Sequence, residues 1–209
     1  MRILLEDIGK QYGEHWIFQS VSQAFESSHV YPIIGNNGSG KSTLLQIISG
    51  FVTPNEGRIS HRKGEVDLPV EQWYQHISMA TPYLDLFEEF TVEESIALHQ
   101  RLKTMTLENP AELMEQIDLA QHAKKPLSQL SSGMRQRLKL ALAILSKSEV
   151  ILLDEPSSNL DKRWTQWFND TLSQHLAHRI TIICSNSQSE EMACATDDPL
   201  DISALALRG

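Results

Sequence analysis

The chain has 209 residues, 41% hydrophobic and 22% charged, with a formal net charge of −9. That length suits one α/β domain with a substantial core and a small inserted subdomain, and the composition excludes disordered, collagen-like and disulfide-scaffold classes. The acidic balance argues against nucleic acid as a main partner, because binding a phosphate backbone normally requires a basic surface.

No stretch approaches the roughly 18 apolar residues of a membrane span, and the opening Met1-Arg2-Ile3-Leu4-Leu5-Glu6-Asp7 meets acid too early for a signal peptide. A cytoplasmic location is therefore expected, with Cys184 and Cys194 as free thiols. In chain order, residues 3–8 and 16–25 read as extended segments around a turn-prone Gly9-Lys10-Gln11-Tyr12-Gly13-Glu14. Val30-Tyr31-Pro32-Ile33-Ile34 predicts a strand. Leu44, Leu45, Ile47 and Ile48 then recur at helical spacing, so the glycine-rich loop between them joins a strand to a helix. Residues 91–145 are mainly helical in pattern and read as a helical insertion. Val150-Ile151-Leu152-Leu153 and Ile180-Thr181-Ile182-Ile183-Cys184 are continuous apolar runs, as expected of parallel strands covered on both faces.

The loop itself, Gly35-Asn36-Asn37-Gly38-Ser39-Gly40-Lys41-Ser42-Thr43, fits the phosphate-loop pattern of Gly, four residues, then Gly-Lys-Ser. Glycines let backbone N–H groups converge on phosphate oxygens, the following helix presents its positive end, Lys41 reaches the terminal phosphates and Ser42 can ligate Mg²⁺. A loop of this kind leaves kinases, GTPases and ATPases open, although no guanine-reading Asn-Lys-x-Asp is present. Asp154 and Glu155 close the apolar run from Val150, where an open α/β sheet places its ligand groups. Asp154 is expected to orient Mg²⁺ and its water, and Glu155 to polarise the water that attacks the γ-phosphate.

Leu130-Ser131-Ser132-Gly133-Met134-Arg135-Gln136-Arg137 opens an amphipathic helix, and taken singly Ser131 and Gly133 also fit a serine N-cap with a glycine start. Together with the phosphate loop and the Asp154-Glu155 pair, however, this segment resembles the signature of ABC-transporter ATPases, and the ordered motifs cover nearly the whole chain. The resemblance implies an α/β P-loop NTPase fold of three layers, with an antiparallel N-terminal β portion and a helical subdomain. It divides the chain into a core of residues 1–82 and 146–209 and a helical subdomain of about 83–145. It further implies that Ser131 and Gly133 contact ATP held by a second subunit and that Tyr12 stacks on adenine. Ser158-Asn159-Leu160-Asp161 resembles the loop that crosses the dimer interface, although Asp161 also fits a helix N-cap.

The implied cofactors are ATP and Mg²⁺. The implied partners are a transmembrane permease subunit, met near residues 81–94, and a second ATPase chain, identical or related. The short length is similar to exporter ATPases, including the cytochrome c maturation type. A soluble ABC protein of translation or DNA repair, or a nucleotide-responsive module with little hydrolysis, are the rival readings. Departures from the family pattern bear on turnover. Residues 180–191 align with the switch that usually carries a histidine, and here Asn186 takes its place, as a catalytic candidate that cannot titrate near neutral pH. The usual glutamine between core and helical insertion is replaced by Met79-Ala80-Thr81-Pro82-Tyr83-Leu84-Asp85-Leu86. Ser132 and Met134 stand where the signature has Gly and Gln.

Overall fold

The computed structural model describes residues 1–186 and 194–204. Two sheets form the core. Strands β1 (Arg2–Tyr12) and β2 (His15–Glu26) make a hairpin, and β1 also pairs with β4 (Glu56–Lys63), which pairs with β5 (Val66–Leu68), giving an antiparallel sheet in the order β2-β1-β4-β5. The turn is narrower than the sequence suggested, since β1 runs on through Tyr12 and leaves only Gly13 and Glu14 between the strands.

The second sheet comprises β6 (Ile77–Ala80), β7 (Val150–Asp154), β8 (Ile180–Ser185), β3 (His29–Ile34) and β9 (Leu200–Asp201), in that order and with every pairing parallel. Its central strands β7 and β8 are buried on both faces, which explains their unbroken apolar runs. Val150 and Leu152 join one apolar cluster with β1, β2 and helix α1 (Lys41–Ile48), whereas Ile151 and Leu153 point the other way, toward α5 (Ser132–Ile144) and α6 (Lys162–Gln174). This alternation along β7 makes three layers. Because all five strands are parallel, their C-terminal ends share one edge, and the loops after β3 and β7 meet Asn186, the residue following β8, there.

The helical part has its own cluster. Helices α3 (Val92–Leu102) and α4 (Pro110–Gln116) pack Val92, Ile96 and Leu113 against Leu138, Ala141 and Leu142 of α5. Thr91 caps α3 in a reciprocal capping box with Glu94, which fixes where the helix starts. Helix α5 joins the two parts of the molecule: Leu138, Ala141, Leu142 and Leu145 belong to the helical cluster, while Leu140, Ala143 and Ile144 pack on the parallel sheet. The short helix α2 (Val70–His76) leads into β6, and Lys103, just after α3, donates to the carbonyls of Tyr74, Gln75 and Ile77 at that junction. No helix among the described residues is long and apolar enough to cross a membrane.

Candidate functional site

The loop between β3 and α1 places a left-handed residue at the helix N-cap: Gly40 has φ of 100°, and a Cβ there would lie 2.5 Å from Ile17 Cγ2 and 2.8 Å from the Phe18 ring. Only glycine fits both the angle and the space. Lys41 then begins α1, and its side chain folds back along the loop, where Nζ donates to Gly35 O at 2.8 Å, Asn36 O at 3.2 Å and Asn186 Oδ1 at 2.5 Å. Lys41 is 6% exposed and its ammonium is surrounded by oxygens, the environment a buried cation requires.

Asp154, 3% exposed, ends β7 opposite Cys184 of β8. Cys184 in turn sits under the phosphate loop, its Sγ 3.7 Å from Lys41 O; burial, with Asp154 and Glu155 nearby, pushes its thiol pKa well up and keeps it protonated. Glu155 has φ of 49°, a left-handed backbone unusual for a non-glycine residue, held by its N–H donating to Cys184 O at 2.9 Å. Such a backbone at a strand end is typical of a residue whose aim matters more than its comfort.

These residues converge. A cleft of about 240 Å³ is lined by Asn37, Gly38, Gly40, Lys41, Ser42 and Thr43 from the loop and by Asp154, Glu155 and Asn186 from the sheet edge, with Ile17 and Pro82 as its apolar walls. Gly35, Asn36 and Ser39 lie behind this surface and shape the loop, the Ser39 N–H donating to Asn36 O at 3.1 Å. Ser42 and Asp154 offer a hydroxyl and a carboxylate to the same cleft, a hard-oxygen pair suited to Mg²⁺, which keeps several waters and shares its shell with substrate phosphates.

The signature segment lies elsewhere. Ser131 caps α5, its Oγ accepting from Met134 N at 3.2 Å, and neither Ser131 nor Gly133 lines the cleft of its own chain. Gly133 packs so close to the loop after Glu155 that a Cβ would meet Asn159 O at 2.7 Å, and Gln136 Nε2 donates to Pro156 O at 2.9 Å. Asp161 does cap α6, accepting from Trp164 N at 3.0 Å. Tyr12, at the end of β1, is 50% exposed with the Lys10 ammonium 5.0 Å from its ring centroid, and it stands outside the residues lining the cleft.

Sequence reasoning missed Ile17, Pro82 and the pair Thr81 and Tyr83. Thr81 follows β6, whose register sets Ala80 beside Leu153, so Thr81 comes next to Asp154. Burial raises the pKa of the Tyr83 phenol, the Thr81 hydroxyl opposing and the Asp154 charge adding to that rise. Hydroxyls therefore occupy the neighbourhood in which a glutamine was sought. The expected switch continues past Asn186 to residue 191, and that remainder lies outside the described residues.

The profile of the ABC transporter family matches residues 18–158. The chain belongs to that family. It is an ABC-type ATPase subunit that binds ATP, with the P-loop NTPase fold. It is 25% identical over 197 residues to an uncharacterised ABC transporter ATP-binding protein of Bacillus subtilis, covering 94% of this chain and 90% of the relative. It is 31% identical over 206 residues to a sulfate/thiosulfate import ATP-binding protein of Mesostigma viride, covering 94% of this chain and 58% of that one. The chain thus spans under two thirds of the length of this second relative. The fold matches the solved structure of a bacterial Atm1-family ABC exporter with ATP bound, at a TM-score of 0.80 and 21% identity, over 97% of this chain and 37% of that one.

Proposed function

We propose that this subunit binds Mg-ATP in the cleft between the phosphate loop and Asp154, dimerises around it, and uses hydrolysis to move a separate membrane permease from the cytoplasmic side. The observation that carries the reading is the convergence of Lys41, Ser42, Asp154, Glu155 and Asn186 on one cleft. Lys41 would turn from Asn186 to the β- and γ-phosphates while still donating to Gly35 O, and the loop N–H groups would donate to the remaining phosphate oxygens. Ser42 and Asp154 would hold Mg²⁺, which when bound neutralises charge on the phosphates. Glu155 would orient and deprotonate the attacking water, and Asn186 would donate to the γ-phosphate. Tyr12 would reach adenine from the hairpin end.

Ser131, exposed at the start of α5, and the half-exposed Gly133, neither lining the cleft of its own chain, would complete the site of a second copy or of a related chain. Helix α5 supports this reading. Its N-terminus carries the signature, Gln136 ties it to the loop after Glu155, and its two faces bridge the core and the helical cluster. Closure at the nucleotide would therefore shift residues 83–145 against the core of residues 1–82 and 146–209. The permease would meet an apolar groove of about 440 Å³ whose rim includes Phe51, Tyr74, Leu84 and Leu102.

The test is phosphate release by the purified chain beside Lys41→Ala and Glu155→Gln. Release by the unaltered chain that falls to background in both variants supports hydrolysis at this cleft. Equal release from all three contradicts it. Nucleotide binding without release would favour the reading that Asn186, with the hydroxyls at Thr81 and Tyr83, makes a nucleotide-responsive module of little turnover.

A further inference from the structure

The last described segment of the chain reaches the first residues of the phosphate loop. Strand β9 runs parallel to β3 with Ile33 opposite Leu200 and Ile34 opposite Asp201, so the residues after each strand emerge side by side. Ile202 is fully buried and anchors the segment, and Asp201 Oδ1 accepts from Ser203 N at 2.9 Å, which fixes the turn. Ser203 Oγ then accepts from Asn36 N–H at 3.0 Å. The approach is close: a Cβ on Gly35 would lie 2.5 Å from Ser39 Oγ, 2.8 Å from Ser203 Oγ and 2.9 Å from Ile202 Cγ2.

The Asn36 N–H and the Gly35 C=O are the two ends of one planar peptide unit and point in opposite directions. One end is held by Ser203. The other accepts from Lys41 Nζ at 2.8 Å. Rotation of that plane by half a turn would aim an N–H at the ammonium in place of an oxygen. The acceptor on Ser203 therefore favours the orientation in which the Gly35 oxygen faces Lys41.

We propose that Ser203 is a positioning residue for Lys41, by which the β9 edge of the sheet presets the phosphate loop for nucleotide. The inference rests on the reading above that Lys41 engages the phosphates. Ser203 touches no nucleotide in this account; it acts through the Gly35–Asn36 peptide. Its effect belongs in affinity for ATP and ADP alike, not in the chemical step, because the Glu155 side of the cleft is untouched.

The experiment compares the full chain with Ser203→Ala and Ser203→Thr by calorimetric titration with ATP and ADP, by turnover at saturating ATP, and by NMR exchange of the Asn36 amide proton. For Ser203→Ala we expect both dissociation constants to rise about 3- to 10-fold, the range of one neutral hydrogen bond. We also expect unchanged turnover at saturation and faster exchange at Asn36, without comparable acceleration at core amides such as Leu152. Ser203→Thr keeps the acceptor and restores affinity and protection. Unchanged affinity in Ser203→Ala, or an equal loss in turnover, overturns the proposal while leaving the assigned site intact. Failure of the unaltered chain to bind either nucleotide overturns the reading of the site, and this inference with it.

Discussion

Lys41 Nζ donates to Asn186 Oδ1 over 2.5 Å, joining residues 145 positions apart in the cleft between the phosphate loop and the sheet edge. A lysine ammonium only donates, so the amide oxygen must face it and the Asn186 NH₂ is the group left to donate elsewhere. That orientation is independent of pH. A histidine in the same place would titrate. We therefore predict that phosphate release by the unaltered chain carries no step assignable to this position, whereas Asn186→His introduces one in the range of an ordinary histidine, about pH 6–7. Release measured from pH 6 to 8.5 on both proteins checks this, and identical profiles would contradict it.

Gly133 and the Asn159 carbonyl define the seam between the signature helix and the loop after Glu155. A methyl group at Gly133 would stand 2.7 Å from that oxygen, with backbone rather than a flexible side chain to displace. Gly133→Ala is predicted to cost about 1–3 kcal/mol in urea unfolding, the range for overpacking a close contact. It should also weaken ATP-dependent dimerisation more than ATP binding.

Two histidines, the buried His61 and the half-buried His99, set an acid limit on stability. Burial, opposed by the Ile48 carbonyl and reinforced by His76, pushes His61 down to about 4 from an ordinary 6.5. Burial and the Lys103 ammonium, opposed by the Leu142 carbonyl, bring His99 to about 4 as well. With the folded values below the unfolded ones, the unfolded chain binds more protons between about pH 4 and 6.5, so stability rises with pH through that window. The contribution is fully present above about pH 6.5 and is lost as the pH falls toward 4, on the order of 3 kcal/mol for each histidine. Urea unfolding at pH 7.5 and 5.0 should show this difference, and His99→Gln, which cannot titrate, should reduce it. An unchanged difference would rule His99 out as a source.

Leu102 is 72% exposed on the rim of the apolar groove assigned to the permease. Leu102→Glu is predicted to leave nucleotide affinity within about twofold, as expected of a surface substitution remote from the cleft. It should abolish co-purification of a multi-span membrane protein with the tagged chain. Retention of that protein at full stoichiometry would remove the groove from the account.

Local sequence carried much of this architecture. Glycines, a lysine and a serine between an apolar strand and a helical repeat specify the phosphate loop wherever it occurs, and the Asp154-Glu155 pair is marked by the run before it. The same runs read as parallel strands covered on both faces, while the three-layer arrangement followed from the family resemblance that the motifs carry. What stayed hidden depends on long-range pairing. Residues 56–80 form two strands, a helix and a third strand, yet their short, mixed segments carry no strong periodicity. The Ser203 contact with Asn36 spans 167 positions and follows from β9 pairing with β3, a two-residue strand that no local pattern announces. Thr81 and Tyr83 were overlooked for a related reason: only the register of β6 against β7 brings them beside Asp154.

The central claim, that ATP joins two copies of this chain through Lys41 on one side and Ser131 and Gly133 on the other, is tested most directly by sedimentation of the Glu155→Gln variant. With Mg-ATP the variant should sediment as a dimer, and with Mg-ADP, or when Lys41→Ala is added, as a monomer. A monomer under Mg-ATP at concentrations that saturate the cleft, or a dimer indifferent to nucleotide, would contradict the account.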